Sequence, residues 1–341
     1  MSSPPSDRPD ADAPSGGLRS ARSGGEEPSL PGVWERSGRN PLVGAFLLVL
    51  ITGSTYFIVQ SIAQGVLVGV AAAVGGRTGT APLEGPYRSA LFAIIILTQT
   101  GLLLLGAALL IRRWHTPALL RYLRLRRLPL SGLIVGAVAA VAVLPPAHLA
   151  ASYLYELFPG LEELAGQSAY LTRADGPREL GFVLATLAVT PAVCEEFLFR
   201  AYFQRTLERR MHGGLAVLIA GSLFALFHQQ VLTLPSLVLV GVLLSYLAFA
   251  YASPYPAVLA HFIYNGLQIL LVNGIVSLPG FSAEGGFSLP AAAAGAALLA
   301  LVVVVTEQAR RSRQSTPPAT HRTTELELRE EEDHSNGNDQ A

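Results

Sequence analysis

Ionisable side chains are scarce inside the long apolar runs of this sequence, and the few that occur there mark where chemistry could take place. Glu195, Glu196 and Arg200 stand in the string TPAVCEEFLFR, His228 in FALFHQ, and His261 and Asn265 in HFIYN. An ionisable group at the centre of a bilayer costs about 2.5–3.5 kcal/mol on insertion scales, so it is retained where it pairs or acts. Glu196 and Arg200 are four residues apart, one above the other on a helix, and can form an internal ion pair. Glu195 points about 100° away from that pair. A carboxylate without such a partner in a water-poor setting is suited to general-base work. The bland alternative is that both glutamates lie near a membrane surface and reach outward. Phe224 lies one turn before His228, and His261 one turn before Asn265, so each pair shares a helix face. A single intramembrane histidine is commonly a packing residue. Two histidines, an asparagine and an acidic pair in one half of a chain can instead converge on one point. His148, after Pro145 and Pro146, has no comparable partner and reads as structural.

The elements that must position these groups follow from composition. Of 341 residues 51% are hydrophobic and 14% charged, and the 24 basic residues are all arginine. A soluble domain carries about 25% charge, so the chain reads as an all-α polytopic transmembrane helix bundle. Without lysine there is no Schiff-base or P-loop chemistry. The formal net charge of zero gives no basic field for nucleic acid, and the single Cys194 excludes an intrachain disulfide. Apolar runs near or above the ~20 residues that cross hydrocarbon predict about eight spans, at 42–72, 89–111, 131–153, 180–203, 213–229, 233–252, 256–275 and 289–306, the first long enough to kink near Gln60 and Gln64. The segments divide into a polar tail (1–41), N-terminal spans and loops (42–179), a core (180–275), a last span (276–310) and a second polar tail (311–341). The tails lack apolar periodicity and are expected to be disordered. The first apolar run is too long for a cleavable signal.

Arginine placement gives the orientation. Arg112, Arg113, Arg121, Arg124, Arg126 and Arg127 follow the second run, and Arg205, Arg209 and Arg210 follow the fourth. The connection after the third is acidic, with Glu156, Glu162, Glu163, Asp175 and Glu179. Both termini are therefore expected in the cytoplasm. If the fourth and fifth spans form a hairpin turning at Met211–Gly214, Glu195 and His228 lie equally far from the turn, roughly 25 Å along each helix, and face each other. His261, soon after the turn at Ser253–Pro256, should then lie nearer the cytoplasmic surface unless helices tilt or kink.

At these residues the chain resembles the CAAX protease and bacteriocin-processing (CPBP, or ABI) family of intramembrane endopeptidases, marked by EExxxR, FxxxH and HxxxN/D in successive helices. The three motifs stand here in order, from Glu195 to Arg200, Phe224 to His228 and His261 to Asn265. The resemblance covers about 180–275. It implies a protease acting on a membrane-bound or lipidated, CAAX-type peptide from a site open to the cytoplasm. Glu195 would activate a water with help from His228, His261 and Asn265 would stabilise the oxyanion, and Glu196, Arg200 and Phe224 would support the site. No cofactor is expected, but Glu195, Glu196, His228 and His261 could alternatively ligate a divalent metal such as zinc. Two other functions compete: a non-catalytic scaffold or immunity protein of the same fold, and a proton-coupled transporter, which should show repeated halves that are not visible here. Cys194 and Ser222 lack the context of a nucleophile. The arginine-only, Ala/Gly/Pro-rich composition points to a GC-rich bacterial genome, hence to the plasma membrane.

Overall fold

The computed structural model describes residues 32–75, 85–125, 128–158, 171–282 and 286–315. The two polar tails lie largely outside these residues, as does much of the acidic connection. The described chain is a helix bundle. A short α1 (Val33–Arg36) precedes α2 (Pro41–Gly75), α3 (Gly85–Trp114), a short α4 (Leu119–Tyr122), α5 (Leu130–Leu157), α6 (Pro177–Glu208), α7 (Gly213–Phe227), α8 (Leu234–Tyr251), α9 (Tyr255–Val272) and α10 (Leu289–Ser315). A two-residue antiparallel ladder, β1 (Phe281–Ser282) with β2 (Gly286–Phe287), joins the last two helices.

Among the described residues, seven helices are long and apolar enough to cross a membrane. The expected fifth span is the exception: α7 has 15 residues, about 22 Å of helix, and ends where the chain turns at His228–Thr233. Helix α2 runs unbroken through Gln60 and Gln64. Its unusual neighbours are α3 and α6, which contain wide π-helical turns at Gln99–Gly106, Ala185–Val189 and Phe197–Gln204. Such i→i+5 turns advance the chain less per residue than α-helix and recur near functional sites.

Three apolar clusters hold the bundle. One gathers α2, α3, α6 and α7 around Phe199, Tyr202, Phe203 and Phe224. A second joins α5, α8, α9 and α10 around Leu144, Leu244 and Tyr264. The third packs α2, α3, α6 and α9 around Phe92 and Ile269. Without a hydrophobic drive between helices in lipid, close approach requires small residues. Gly221 of α7 and Gly241 of α8 provide it, since a Cβ on Gly221 would stand 2.6 Å from Val242 Cα.

Candidate active site

The site lies inside the bundle, where α6, α7 and α9 meet. Glu195 and Glu196 are buried on α6, between its two wide-turn segments. From there the two adjacent carboxylates diverge into different surroundings.

Glu196 is fully enclosed. Its Oε1 accepts from Arg200 Nη1 at 2.8 Å and from His261 Nδ1 at 2.8 Å. Arg200 also donates from Nη2 to the Gly241 carbonyl at 2.9 Å, and its guanidinium lies 4.2 Å from the Phe224 ring centroid. The expected i,i+4 ion pair is therefore present, extended on one side by an imidazole and on the other by a backbone carbonyl. The close contact of Gly221 with Gly241 brings α8, and with it that carbonyl, into the arrangement.

Glu195 has no such set. Its Oε2 lies 3.6 Å from His228 Nε2, too long for a direct hydrogen bond. That oxygen is buried without a hydrogen-bond partner among the described residues. His228 donates Nδ1–H to the Phe224 carbonyl at 2.8 Å. The bond fixes the ring so that Nε2 faces the carboxylate. The His228 side chain keeps 21% exposure, against 9% for Glu195 and none for Glu196 or Arg200. The opposed placement of Glu195 and His228 is the one that hairpin arithmetic predicts.

His261 reaches Glu196 although straight helices would have left it nearer the surface. The 2.8 Å contact puts the two at one level of the bundle, and the wide turns of Phe197–Gln204, directly after Glu196 on α6, are one departure from the straight-helix count in that region. Asn265, one turn further along α9, donates Nδ2–H to the Leu187 carbonyl at 3.0 Å. Phe224 packs edge-on to both imidazoles, with centroids at 4.6 Å to His228 and 5.7 Å to His261.

Sequence reading missed the groups that α2 and α3 bring up. Tyr56 lies within electrostatic reach of Glu195. Gln99 Nε2 donates to its hydroxyl at 3.4 Å, and Thr98 donates to Gln60 at 2.5 Å. Gln60 is one turn beyond Tyr56, and that i,i+4 polar pair in an apolar helix was the available signal. His148 packs edge-on against Phe281 and Phe287, away from this cluster. Among the described residues no three His, Cys, Asp or Glu side chains are gathered as metal ligands, and the Glu196 oxygen that faces His261 is already shared with Arg200.

Fold and site together define a polytopic helical membrane protein with a buried carboxylate–imidazole centre. Residues 177–267, which contain all three motifs, match the family model described as type II CAAX prenyl endopeptidase Rce1-like, consistent with the CPBP family. No curated protein and no solved structure matches the chain.

Proposed function

We propose that the protein is an intramembrane endopeptidase that hydrolyses a peptide bond of a membrane-bound or lipidated, CAAX-type substrate. The observation that carries this reading is the opposition of Glu195 Oε2 and His228 Nε2 across 3.6 Å, within a segment that matches a protease family. Both atoms are acceptors when Glu195 is ionised and His228 neutral, and two hydrogen bonds of about 2.8 Å from one water can span them. A water that donates both hydrogens this way turns its lone pairs toward a substrate carbonyl.

Attack forms the water O–C bond, moves the carbonyl π pair onto oxygen and transfers the water proton to Glu195. Collapse of the intermediate breaks the C–N bond, and Glu195 returns the proton to the leaving amine. With Nδ1 bonded to Glu196, His261 keeps Nε2 as the ring nitrogen left for the substrate side, where it can donate to the oxyanion when that nitrogen carries a proton. Glu196 and Arg200 hold that imidazole and take no proton. No step needs a metal or other cofactor. Metal analysis of the purified protein with chelator treatment tests that point, and stoichiometric zinc required for activity would overturn it. In a bacterium the enzyme would act at the plasma membrane.

The test is cleavage of a fluorogenic farnesylated CAAX-type peptide by the protein in proteoliposomes, alongside comparison of membrane peptides between cells lacking the protein and cells carrying Glu195→Ala. Cleavage by wild type and none by Glu195→Ala is the expected result. Equal cleavage by the two proteins would show the proposed site to be wrong, and no cleavage by either would leave a non-catalytic membrane scaffold as the better description.

A further inference from the structure

Proline at position 191 has no N–H, so the carbonyl of Leu187, four residues earlier, loses its α-helical donor. An unpaired backbone carbonyl in hydrocarbon costs several kcal/mol. In this structure a side chain from another helix supplies the donor: Asn265 Nδ2 bonds Leu187 O at 3.0 Å. The break lies one turn before Glu195, and wide turns begin just upstream at Ala185. Thr190 Oγ1 also donates to the Ala185 carbonyl at 2.7 Å, beside the backbone bond from Thr190 N–H to the same oxygen, so side chains add to the backbone bonding around this break.

His261 and Asn265 are one turn apart on α9. His261 grips Glu196 and Asn265 grips Leu187, so one face of α9 holds α6 at two points on either side of Pro191, with Glu195 between them. The contacts run antiparallel, the later residue of α9 meeting the earlier residue of α6. Glu195 has no hydrogen-bonded partner of its own to fix its Oε2. Its distance from His228 is therefore set by where this broken stretch of helix is held.

We infer that Asn265 is a positioning residue: its amide splints the helix break made by Pro191 and thereby places Glu195 opposite His228. The inference rests on the protease reading for its kinetic consequence but not for its structural one. A donor to the oxyanion would act on the substrate whatever residue stands at 191. A splint becomes dispensable when residue 191 can donate to Leu187 O itself.

The test compares wild type, Asn265→Leu, Pro191→Ala and the double variant, each full-length in nanodiscs, on the farnesylated CAAX-type peptide. Asn265→Leu is expected to lower kcat at least about tenfold with KM within about twofold, because misplacing a reacting group costs catalysis rather than binding. In the Pro191→Ala background the same substitution should cost less than about threefold, the difference being the coupling of the two sites. An equal loss in both backgrounds, or no loss in either, overturns the splint. Hydrogen exchange of residues 185–196 provides a readout independent of catalysis and of the folding of Pro191→Ala. Asn265→Leu should speed exchange there at least about tenfold through a weakened local opening free energy, and unchanged exchange likewise overturns the inference. If wild type cleaves no peptide, the protease reading fails while the exchange measurement still decides the splint.

Discussion

Glu195 and Glu196 are neighbours in sequence and both buried, yet they occupy opposite kinds of environment. Around Glu196 an arginine and an imidazole share one carboxylate oxygen and the arginine also reaches a backbone carbonyl, all at 2.8–2.9 Å, while the second oxygen, like Glu195 Oε2, has no hydrogen-bond partner among the described residues. Around Glu195 a single imidazole stands off at 3.6 Å and retains partial exposure. A helix makes this contrast available at once, because consecutive side chains diverge by about 100°. One carboxylate serves as an anchor, and the other is left poised. A buried ion pair is costly to break, whereas a group with no partner can be replaced without unmaking the fold.

Substituting each glutamate in turn is the sharpest way to break the comparison. Glu195→Gln, like His228→Ala, should reduce peptide cleavage by about 10²–10⁴-fold, the usual worth of a general base, with the melting temperature in nanodiscs almost unchanged. Glu196→Ala should instead destabilise the protein by about 3–5 kcal/mol, because Arg200 would stay buried without its counter-charge. Urea-induced unfolding in mixed micelles measures this, and Glu196→Ala/Arg200→Met should recover part of the loss. Equal stability of the Glu195 and Glu196 variants would remove the distinction.

Packing gives a smaller effect on the anchored side. Gly221→Leu forces α7 away from α8 and should cost about 1–3 kcal/mol as overpacking. Since Gly241 supplies the Arg200 acceptor, activity should fall with it, measured as kcat at a temperature where the variant is still folded.

The smallest effect lies where α1 meets the end of α3. His115 is buried between Glu35, at 3.5 Å from Nδ1, and the Tyr202 hydroxyl, at 2.7 Å from Nε2. Burial holds this imidazole below its ordinary value of 6.5, with Glu35 opposing the shift and Arg209 adding to it. The folded state thus binds the proton less readily than the unfolded chain. Its contribution to stability is complete above pH 6.5 and declines as pH falls below that value. The only two tryptophans, Trp34 and Trp114, stack beside it with centroids 5.3 Å apart. Acidification from pH 7.5 to about 5 should therefore shift tryptophan emission, and His115→Gln should abolish the shift. An unchanged pH response in His115→Gln would place the titrating group elsewhere.

Much of the site was legible because helical periodicity is local. The Glu196–Arg200 pair follows from a spacing of four, and the facing of Glu195 and His228 from counting back to one turn. Pro191 announced an orphaned carbonyl at Leu187, but its partner Asn265 lies 78 residues away and only the packed bundle identifies it. The depth of His261 stayed open in the sequence, because counting along straight helices registers neither the turns at Phe197–Gln204 nor the packing of α9 on α6. Eight apolar runs did correspond to eight helices, with one of them shorter than a bilayer crossing requires. Hydropathy cannot distinguish an apolar run that crosses from one that turns early at His228. The Tyr56–Gln60 spacing marks a polar face but not its partner Gln99, and the His115–Tyr202 contact joins remote segments and leaves no periodic trace.

The short α7 has a consequence for the surrounding lipid. About 22 Å of helix against about 30 Å of hydrocarbon leaves a hydrophobic mismatch, which a bilayer meets by thinning locally. His228 directly follows the last residue of α7 and keeps 21% exposure, so a bilayer thinned there would bring headgroups and water closer to the proposed hydrolytic pair. On that account activity in proteoliposomes should fall as the acyl chains lengthen.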